Sequence, residues 1–173
     1  MAGRGEVIMP TQRILSIYIV CAMSLFSFRL SPAPIMGSVK HAFESGLWTE
    51  DIDGSIQYAK QVRRPVLVLF TGSDWCYWCK KLDEDILSQS AFRERMRGRF
   101  ILLYVDFPRH SALPKDVSAK RNSLRQRFNI NAYPTMVVLK DGDEFAGQVR
   151  GFPRGATAEK YISEIERIAS TSQ

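Results

Sequence analysis

The sequence predicts an α/β domain built on a central mixed sheet with helices on both faces. Apolar runs of strand length alternate with helical patterns from about residue 50 to 170, which is typical of parallel βαβ units. The last two runs are joined by the tight turn 141–143, Asp-Gly-Asp, which adds an antiparallel hairpin. A chain of 173 residues, 45% of them hydrophobic, is long enough for one such domain with a sizeable core.

Four strands are predicted, three of them as apolar runs and the fourth as a hairpin partner. The run 66–70, VLVLF, is unbroken and rich in branched residues, as in a strand buried on both faces. The predicted strands span residues 66–70, 100–105, 135–140 and 144–150.

The helices are predicted from caps and from apolar residues at helical spacing. The predicted order is helix, strand, helix, strand, helix, strand, strand, helix. The first helix has Thr49 or Asp51 as its cap and ends at residue 62, and the second has Ser73 or Asp74 as its cap. The remaining helical segments are a short piece from Ser90 to Gly98, a helix over 118–128, and a last helix that opens at Thr157 or Ala158.

The first 33 residues have the pattern of a secretory signal. Positive residues precede an uncharged apolar run over 14–28, and small residues follow it. The run is shorter than the roughly 20 residues that a membrane-spanning helix needs. Because Pro34 would directly follow a cut after Ala33, an uncleaved membrane anchor stays open as the alternative. We therefore expect residues 1–33 to be a signal peptide or anchor, 34–49 a linker, and 50–173 the folded domain.

The net charge of +6 does not predict a nucleic-acid-binding protein. The basic residues form two clusters that acids such as Glu94 and Asp116 interrupt or flank, as on solvated helix faces. These clusters are Arg93, Arg95, Arg97 and Arg99, and Lys120, Arg121, Arg125 and Arg127.

Two of the three cysteines, Cys76 and Cys79, have only two residues between them, whereas Cys21 falls inside the signal-like run. Such a pair can bind a metal, form a permanent crosslink, or cycle between dithiol and disulfide. A structural zinc site needs four ligands, and the histidines, His41 and His110, lack ligand spacing. A permanent disulfide across so short a loop would remove little chain entropy. Redox cycling is therefore favoured, and neither a metal nor a bound cofactor is expected.

The predicted helix start favours a reactive thiol at Cys76. Unpaired N–H groups and the helix dipole favour negative charge there, so we expect the pKa of Cys76 to be lowered. Cys79 lies one turn further along the same helix, next to Cys76 but deeper. The pair is therefore suited to thiol–disulfide exchange through a mixed disulfide.

Residues 75–80, WCYWCK, follow a buried strand and open a helix, and 133–135, Tyr-Pro-Thr, precede the third strand. This combination resembles the thioredoxin superfamily over about residues 50–170, and most of all its exported (periplasmic, Dsb-type) thiol:disulfide interchange proteins. The resemblance implies the thioredoxin fold. It also implies that Cys76 is the attacking thiol, that Cys79 is the resolving thiol, and that Pro134 is cis and sets the Tyr133 backbone against an incoming peptide.

Three aromatic residues beside the cysteines are expected to contact substrate. Trp75 would pack over the rim of the site, while Tyr77 and Trp78 would enlarge the apolar surface around the attacking thiol. Trp78 turned inward as a core residue is the alternative.

The sequence departs from thioredoxins in two places. The strand 66–71 holds no acid to move the proton of the resolving thiol, which leaves Asp74, Glu84 or water as substitutes. No cation stands between the two cysteines to stabilise a thiolate, which favours a reductase over a strong oxidant.

We therefore expect an exported thiol:disulfide oxidoreductase that acts on protein substrates. As a reductant it would need a membrane electron-donor protein, and it would meet the membrane itself only through an uncleaved N-terminal segment. The alternatives are a chaperone-like module that binds polypeptides and a metallochaperone.

Overall fold

The structure, a computed structural model, describes residues 33–153 and 155–171. The expected signal segment and Cys21 lie outside the described residues, except for Ala33 at its end. Among the described residues, no helix is long and apolar enough to cross a membrane.

The sheet is mixed and has five strands in the order β1-β3-β2-β4-β5. β1 and β2 pair with β3 in parallel, while β4 pairs antiparallel with both β2 and β5. The predicted mixed sheet with a late antiparallel hairpin is therefore confirmed. The strands are β1 (Trp48–Thr49), β2 (Val66–Thr71), β3 (Ile101–Asp106), β4 (Thr135–Lys140) and β5 (Glu144–Arg150).

Helices cover both faces of this sheet, as predicted. They are α1 (Ala33–Ser45), α2 (Ile52–Val62), α3 (Tyr77–Leu82), α4 (Ser90–Met96), α5 (Lys115–Arg127) and α6 (Ala158–Ser170). α3 continues into one π-helical stretch, Asp83–Leu87. Side chains of α3, α4 and α6 pack in one apolar cluster, and those of α1, α2 and α5 pack in a second one.

β2 is the central strand, and every one of its six residues is buried. Leu67 and Leu69 face the first cluster, whereas Val66, Val68 and Phe70 face the second, because successive side chains of a strand point to opposite faces. The unbroken apolar run thus reflects burial on both faces, and the loop that leads to Cys76 starts from this buried strand.

The segment expected as a linker, 34–49, is instead part of the domain. α1 occupies most of it, and β1 adds an edge strand to β3. Val39 and Ala42 of α1 are buried, and the Phe43 ring meets Tyr58 of α2 edge-on. The glycines and mixed polarity of this stretch favoured a linker, but its apolar residues find their partners only in the folded domain.

Local caps account for several helix boundaries. The Asp51 carboxylate accepts the Gly54 N–H at 2.9 Å, and the Thr157 side chain accepts from Lys160, as their residue types predicted. α5 begins at Lys115 rather than at 118, directly after Pro114, and β3 ends one residue later than predicted, at Asp106.

The basic cluster on α5 is not uniformly solvated. Arg121 is 4% exposed, donates to the Asp106 carbonyl oxygen at 2.6 Å, and pairs with Glu50 at 2.6 Å. The prediction of a solvated face is wrong at this position. Arg121 ties α5 to the end of β3, where its charge is compensated.

Candidate active site

The two cysteines lie where β2 ends and α3 begins. Cys76 itself is the N-cap of α3, and its sulfur accepts the backbone N–H of Cys79 at 3.2 Å. The helix therefore starts at Tyr77, two residues later than predicted, and neither Ser73 nor Asp74 caps it. The sulfur of Cys76 occupies the position where N–H groups at a helix start favour a negative charge.

Cys76 and Cys79 form a disulfide in this structure. The two Sγ atoms are 2.09 Å apart and the two Cα atoms 5.3 Å apart. In this state Cys76 is 6% exposed and Cys79 is 5% exposed, so both sulfur-bearing side chains are buried while the disulfide is formed. Within the described part of the chain, no group of three or more His, Cys, Asp or Glu residues is arranged to hold a metal.

The loop before Cys76 is held by the end of β3. The Asp106 carboxylate accepts the Ser73 backbone N–H at 2.8 Å and the Ser73 hydroxyl at 2.6 Å. The Trp75 indole N–H donates to the Phe107 carbonyl oxygen at 2.8 Å. Because β3 is parallel to β2, its end reaches the same edge of the sheet and fixes Trp75 beside the disulfide.

Asp74 links this loop to the segment after β3. Its carboxylate accepts the backbone N–H groups of His110 at 2.7 Å and Arg109 at 3.0 Å, and the His110 Nδ1 lies 3.1 Å away. Hydrogen bonding by the His110 N–H, and then by the Arg109 N–H, lowers the pKa of Asp74. A carboxylate with a lowered pKa is a weaker base, so Asp74 is less suited to take up the proton of Cys79.

This lowered pKa predicts how Asp74 contributes to stability with pH. A carboxyl with a folded-state pKa below its unfolded value of about 3.9 stabilises the fold above that value, and the contribution is lost as the pH falls through the folded pKa. Thermal unfolding of Asp74→Asn should therefore show a lower Tm than the wild type near pH 6, with the gap closing below about pH 4. Glu94→Gln, an exposed change on α4, is the control, and a pH-independent gap would contradict the assignment.

Gly72 lies against the indole of Trp75. A Cβ at this position would lie 2.6 Å from Trp75 Cζ2 and closer still to Cε2 and Nε1. The absence of a side chain is thus what lets Trp75 fold back over the loop and reach Phe107.

Gly72→Ala should destabilise the protein by about 1–3 kcal/mol, because the indole must move and lose its hydrogen bond. Urea unfolding measures this cost, and tryptophan fluorescence reports the displaced ring. In a Trp75→Ala background the same substitution should cost much less, since the clashing ring is gone. Equal costs in the two backgrounds would show that the contact with Trp75 is not the cause.

The Tyr133–Pro134 peptide bond is cis, as the resemblance implied. The Tyr133 ring meets Trp75 edge-on, with ring centroids 5.6 Å apart, and it also contacts Phe107 at 5.6 Å. The loop before β4 and the loop before Cys76 are therefore joined by an aromatic cluster at the rim of the site.

Tyr77 and Trp78 project into solvent from the first turn of α3. They are 67% and 45% exposed, and their rings pack edge-on with centroids 5.2 Å apart. Trp78 is therefore not turned inward as a core residue, which was the alternative expected from the sequence. Two large exposed aromatics next to a reactive disulfide form an apolar surface of the kind that marks interaction sites.

A cavity of about 180 Å³ lies beside Cys79. Asp83, one helical turn after Cys79, and Tyr104 of β3 are among its lining residues, and burial raises the pKa of Tyr104. The cavity is large enough for several waters and has polar groups to bind them. The full lining is Trp48, Leu69, Thr71, Ser73, Cys79, Lys80, Asp83, Leu87 and Tyr104.

Comparison with known proteins agrees with this geometry. The family model of the thioredoxin-like domain matches residues 52–166, about two thirds of the chain. The chain belongs to the thioredoxin-like family. The thioredoxin-like domain includes both cysteines, the cis-proline loop and all strands from β2 to β5.

Two curated relatives come from Chlamydia pneumoniae. The disulfide bond reductase DsbH is 29% identical over 123 residues, which cover 70% of this chain and 72% of the relative. The thioredoxin-related protein DsbJ is 30% identical over 96 residues, which cover 56% of this chain but only 28% of that longer relative.

Solved structures are also similar to this chain. A DsbH oxidoreductase matches with a TM-score of 0.65 at 26% identity and covers 72% of this chain and 85% of that one. A thioredoxin from Thermus thermophilus matches with a TM-score of 0.54 at 19% identity, over 72% of this chain and 87% of that one, and supports the fold alone.

The site contains residues that the sequence did not reveal. Asp106, Phe107, Arg109 and Tyr104 reach the active-site loop or the cavity only because β3 lies beside β2. Asp83 could have been found, since it follows Cys79 by four residues and so lies on the same helix face.

Proposed function

We propose that this protein is an exported reductase of protein disulfides. The observation that carries the proposal is the position of Cys76, which caps a helix, receives the Cys79 N–H and is bonded to the Cys79 sulfur. In a thioredoxin-like domain, this arrangement is that of a thiol:disulfide oxidoreductase. Two parts of the proposal go beyond this oxidoreductase activity, namely export from the cytoplasm and the reducing direction of the reaction.

The reaction starts from the reduced pair. The Cys76 thiolate attacks one sulfur of a substrate disulfide, and the other substrate sulfur leaves as a thiolate and takes up a proton. Cys79 then loses its proton and attacks Cys76, which releases the second substrate thiolate. Two electrons pass to the substrate, and the Cys76–Cys79 disulfide is the product on the enzyme, the state in which the structure holds the pair.

Substrate would be held over the aromatic surface around Cys76. Tyr77 and Trp78 supply exposed apolar area, and Trp75 packs against Tyr133 ahead of cis-Pro134. An extended segment could pair with the Tyr133 backbone while its side chains contact these rings. A peptide-binding surface of this kind explains why large aromatics flank the cysteines.

Three observations support the reducing direction and an exported location. No cation separates the two cysteines, the relative DsbH is named a disulfide bond reductase, and the chain begins with a signal-like segment. Outside the cytoplasm, the oxidised pair must be re-reduced from elsewhere, so a membrane electron-donor protein is the proposed partner. The equilibrium redox potential of the pair against glutathione tests the direction, and a value near that of DsbA, about −120 mV, would overturn it.

An insulin-reduction assay tests the activity itself. Wild-type protein should accelerate precipitation of the insulin B chain in the presence of a dithiol, and Cys76→Ser should not. A polypeptide-binding module, the second candidate, is favoured by the exposed Tyr77 and Trp78. It would suppress aggregation of an unfolded protein equally well in both forms, without any reduction.

The cavity beside Cys79 suggests how the resolving thiol loses its proton. Asp83 supplies the carboxylate of the cavity lining, and water in the cavity could connect it to Cys79. Asp83→Asn should slow the resolving step by about tenfold or more near pH 7, because general base catalysis is lost. The deficit should shrink at high pH, where Cys79 ionises unaided.

Single-turnover kinetics from pH 6 to 10 measure this effect. Asp85→Asn is the matched control, since Asp85 pairs with Lys81 on the surface of the same helix. A pH-independent deficit, or one shared by the control, would exclude Asp83 as the proton acceptor.

A further inference from the structure

Three aromatic rings stand in a row beside the active site, with an arginine at each end. The Arg109 guanidinium carbon lies 3.8 Å from the centroid of the Trp75 ring, and Trp75 contacts Tyr133. Tyr133 contacts Phe107, and the Arg125 guanidinium carbon lies 5.7 Å from the centroid of Phe107. We refer to Arg109, Trp75, Tyr133, Phe107 and Arg125 as the arginine-aromatic rim.

The arginine-aromatic rim adjoins both the cysteine pair and the cis-proline loop. Trp75 precedes Cys76 directly, and Tyr133 precedes the cis-proline. A chain that lies along the cis-proline loop with its sulfur at Cys76 must therefore pass over or next to these rings.

Every rim residue except Trp75 lies in a strongly positive segment. Residues 107–133 contain six lysines and arginines against a single acid, Asp116. Within the described part of the chain, Lys120 pairs with Asp53 and Arg121 with Glu50, whereas Arg109 and Arg125 make no ion pair with a carboxylate.

Two acids adjoin the rim in sequence, Asp74 before Trp75 and Asp106 before Phe107, and neither carboxylate binds the guanidinium of Arg109 or Arg125. The Asp74 carboxylate accepts the backbone N–H groups of Arg109 and His110, and the Asp106 carboxylate accepts the N–H and the hydroxyl of Ser73. Lys80 donates to the Asp74 carbonyl oxygen, so another cation lies on the same side of the cysteines.

We propose that the arginine-aromatic rim selects substrate segments that carry acidic side chains next to the reactive cysteine. This inference rests on the proposed function and names the substrate class of the same site. A guanidinium stacked on a ring keeps its N–H donors free at its edge, in a fork that matches a carboxylate. Holding Arg109 on Trp75 also limits the side-chain entropy lost when a carboxylate binds.

Two disulfide peptides test the proposal. They share one intramolecular disulfide and differ only in whether the residues flanking the cysteines are glutamate or glutamine. Stopped-flow tryptophan fluorescence measures how fast each oxidises the reduced protein, and the rate of each peptide with dithiothreitol corrects for its intrinsic reactivity. The wild type should prefer the glutamate peptide by about two- to fivefold for each arginine engaged, the range of exposed ion pairs. The preference should fall as salt is raised.

Substitutions of the arginines identify the source of the preference. The double variant Arg109→Gln/Arg125→Gln should lower the glutamate-to-glutamine rate ratio to near one. The control Arg93→Gln/Arg97→Gln also removes two positive charges, from α4 and the residue that follows it, ahead of the start of β3, and it should leave the ratio unchanged. A third peptide carries lysine at the flanking positions. The Arg109→Glu variant should react faster with the lysine peptide than with the glutamate peptide, the reverse of the wild type, and a general loss of folding would not produce this reversal.

The outcomes separate the two proposals. If the wild type reduces neither peptide, the proposed function fails. The proposed reductase activity is supported but the arginine-aromatic rim has no part in selectivity under either of two results. One is that the wild type reduces both peptides at the same corrected rate, and the other is that the double variant keeps the glutamate-to-glutamine rate ratio of the wild type.

Discussion

A Cys79→Ser variant is expected to remain covalently joined to its substrate. Cys76 keeps its place as the helix N-cap, so it can still attack a substrate disulfide. Without the second sulfur, which lies within bonding distance in the wild type, the mixed disulfide cannot be resolved within the protein. Turnover should fall on the order of a thousandfold or more, as when a nucleophile is removed from an enzyme.

Non-reducing electrophoresis and mass spectrometry detect the trapped species after reaction with a disulfide-containing protein. Cys76→Ser is the matched control and should form little adduct, because Cys79 lies inside the helix and lacks the N-cap position that favours a thiolate at Cys76. An adduct that forms through Cys79 in this control would reverse the roles assigned to the two thiols.

Phe70→Ala should cost about 3–5 kcal/mol of unfolding free energy, the range for removing a fully buried ring. Phe70 is 0% exposed in the central strand and packs edge-on against Phe128, with centroids 6.4 Å apart. It also pairs with Thr135, which directly follows Pro134. The cavity that Phe70→Ala leaves in the core would therefore also lie under the active-site loops.

Phe145→Ala is the control because the Phe145 ring contacts the same partner. It stacks on Phe128 with centroids 6.0 Å apart but is 49% exposed, so its removal should cost below about 1.5 kcal/mol. Chemical denaturation measures both values. Similar costs for the two variants would mean that ring contact with Phe128, rather than burial, sets the contribution of Phe70.

The sequence was most informative where one short stretch carries the property. Cys76 and Cys79 are three residues apart, so any helix brings their sulfurs together, and the apolar run of β2 could be recognised as a strand buried on both faces. Asp51 and Thr157 were recognised as caps because capping is a contact within one turn.

It was least informative where two local signals competed. Ser73 and Asp74 are both good caps by residue type, yet Asp106 and the 109–110 backbone bind their side chains, and Cys76 takes the cap instead. The glycines near α1 favoured a linker, whereas burial of Val39 and Ala42 against the rest of the domain makes this segment a helix.

The sequence alone determined the cysteine pair, the order of strands and helices from α2 onward and, through its resemblance, the thioredoxin-like family. Tertiary structure alone decided that the end of β3 holds Ser73 and Trp75, that Tyr104 lines the cavity beside Cys79, and that Arg109 stacks on Trp75. The physical reason is distance along the chain. Contacts within one helical turn are encoded by spacing, but contacts between residues about 30 apart exist only once β2 and β3 pair in parallel and bring their ends to one edge of the sheet.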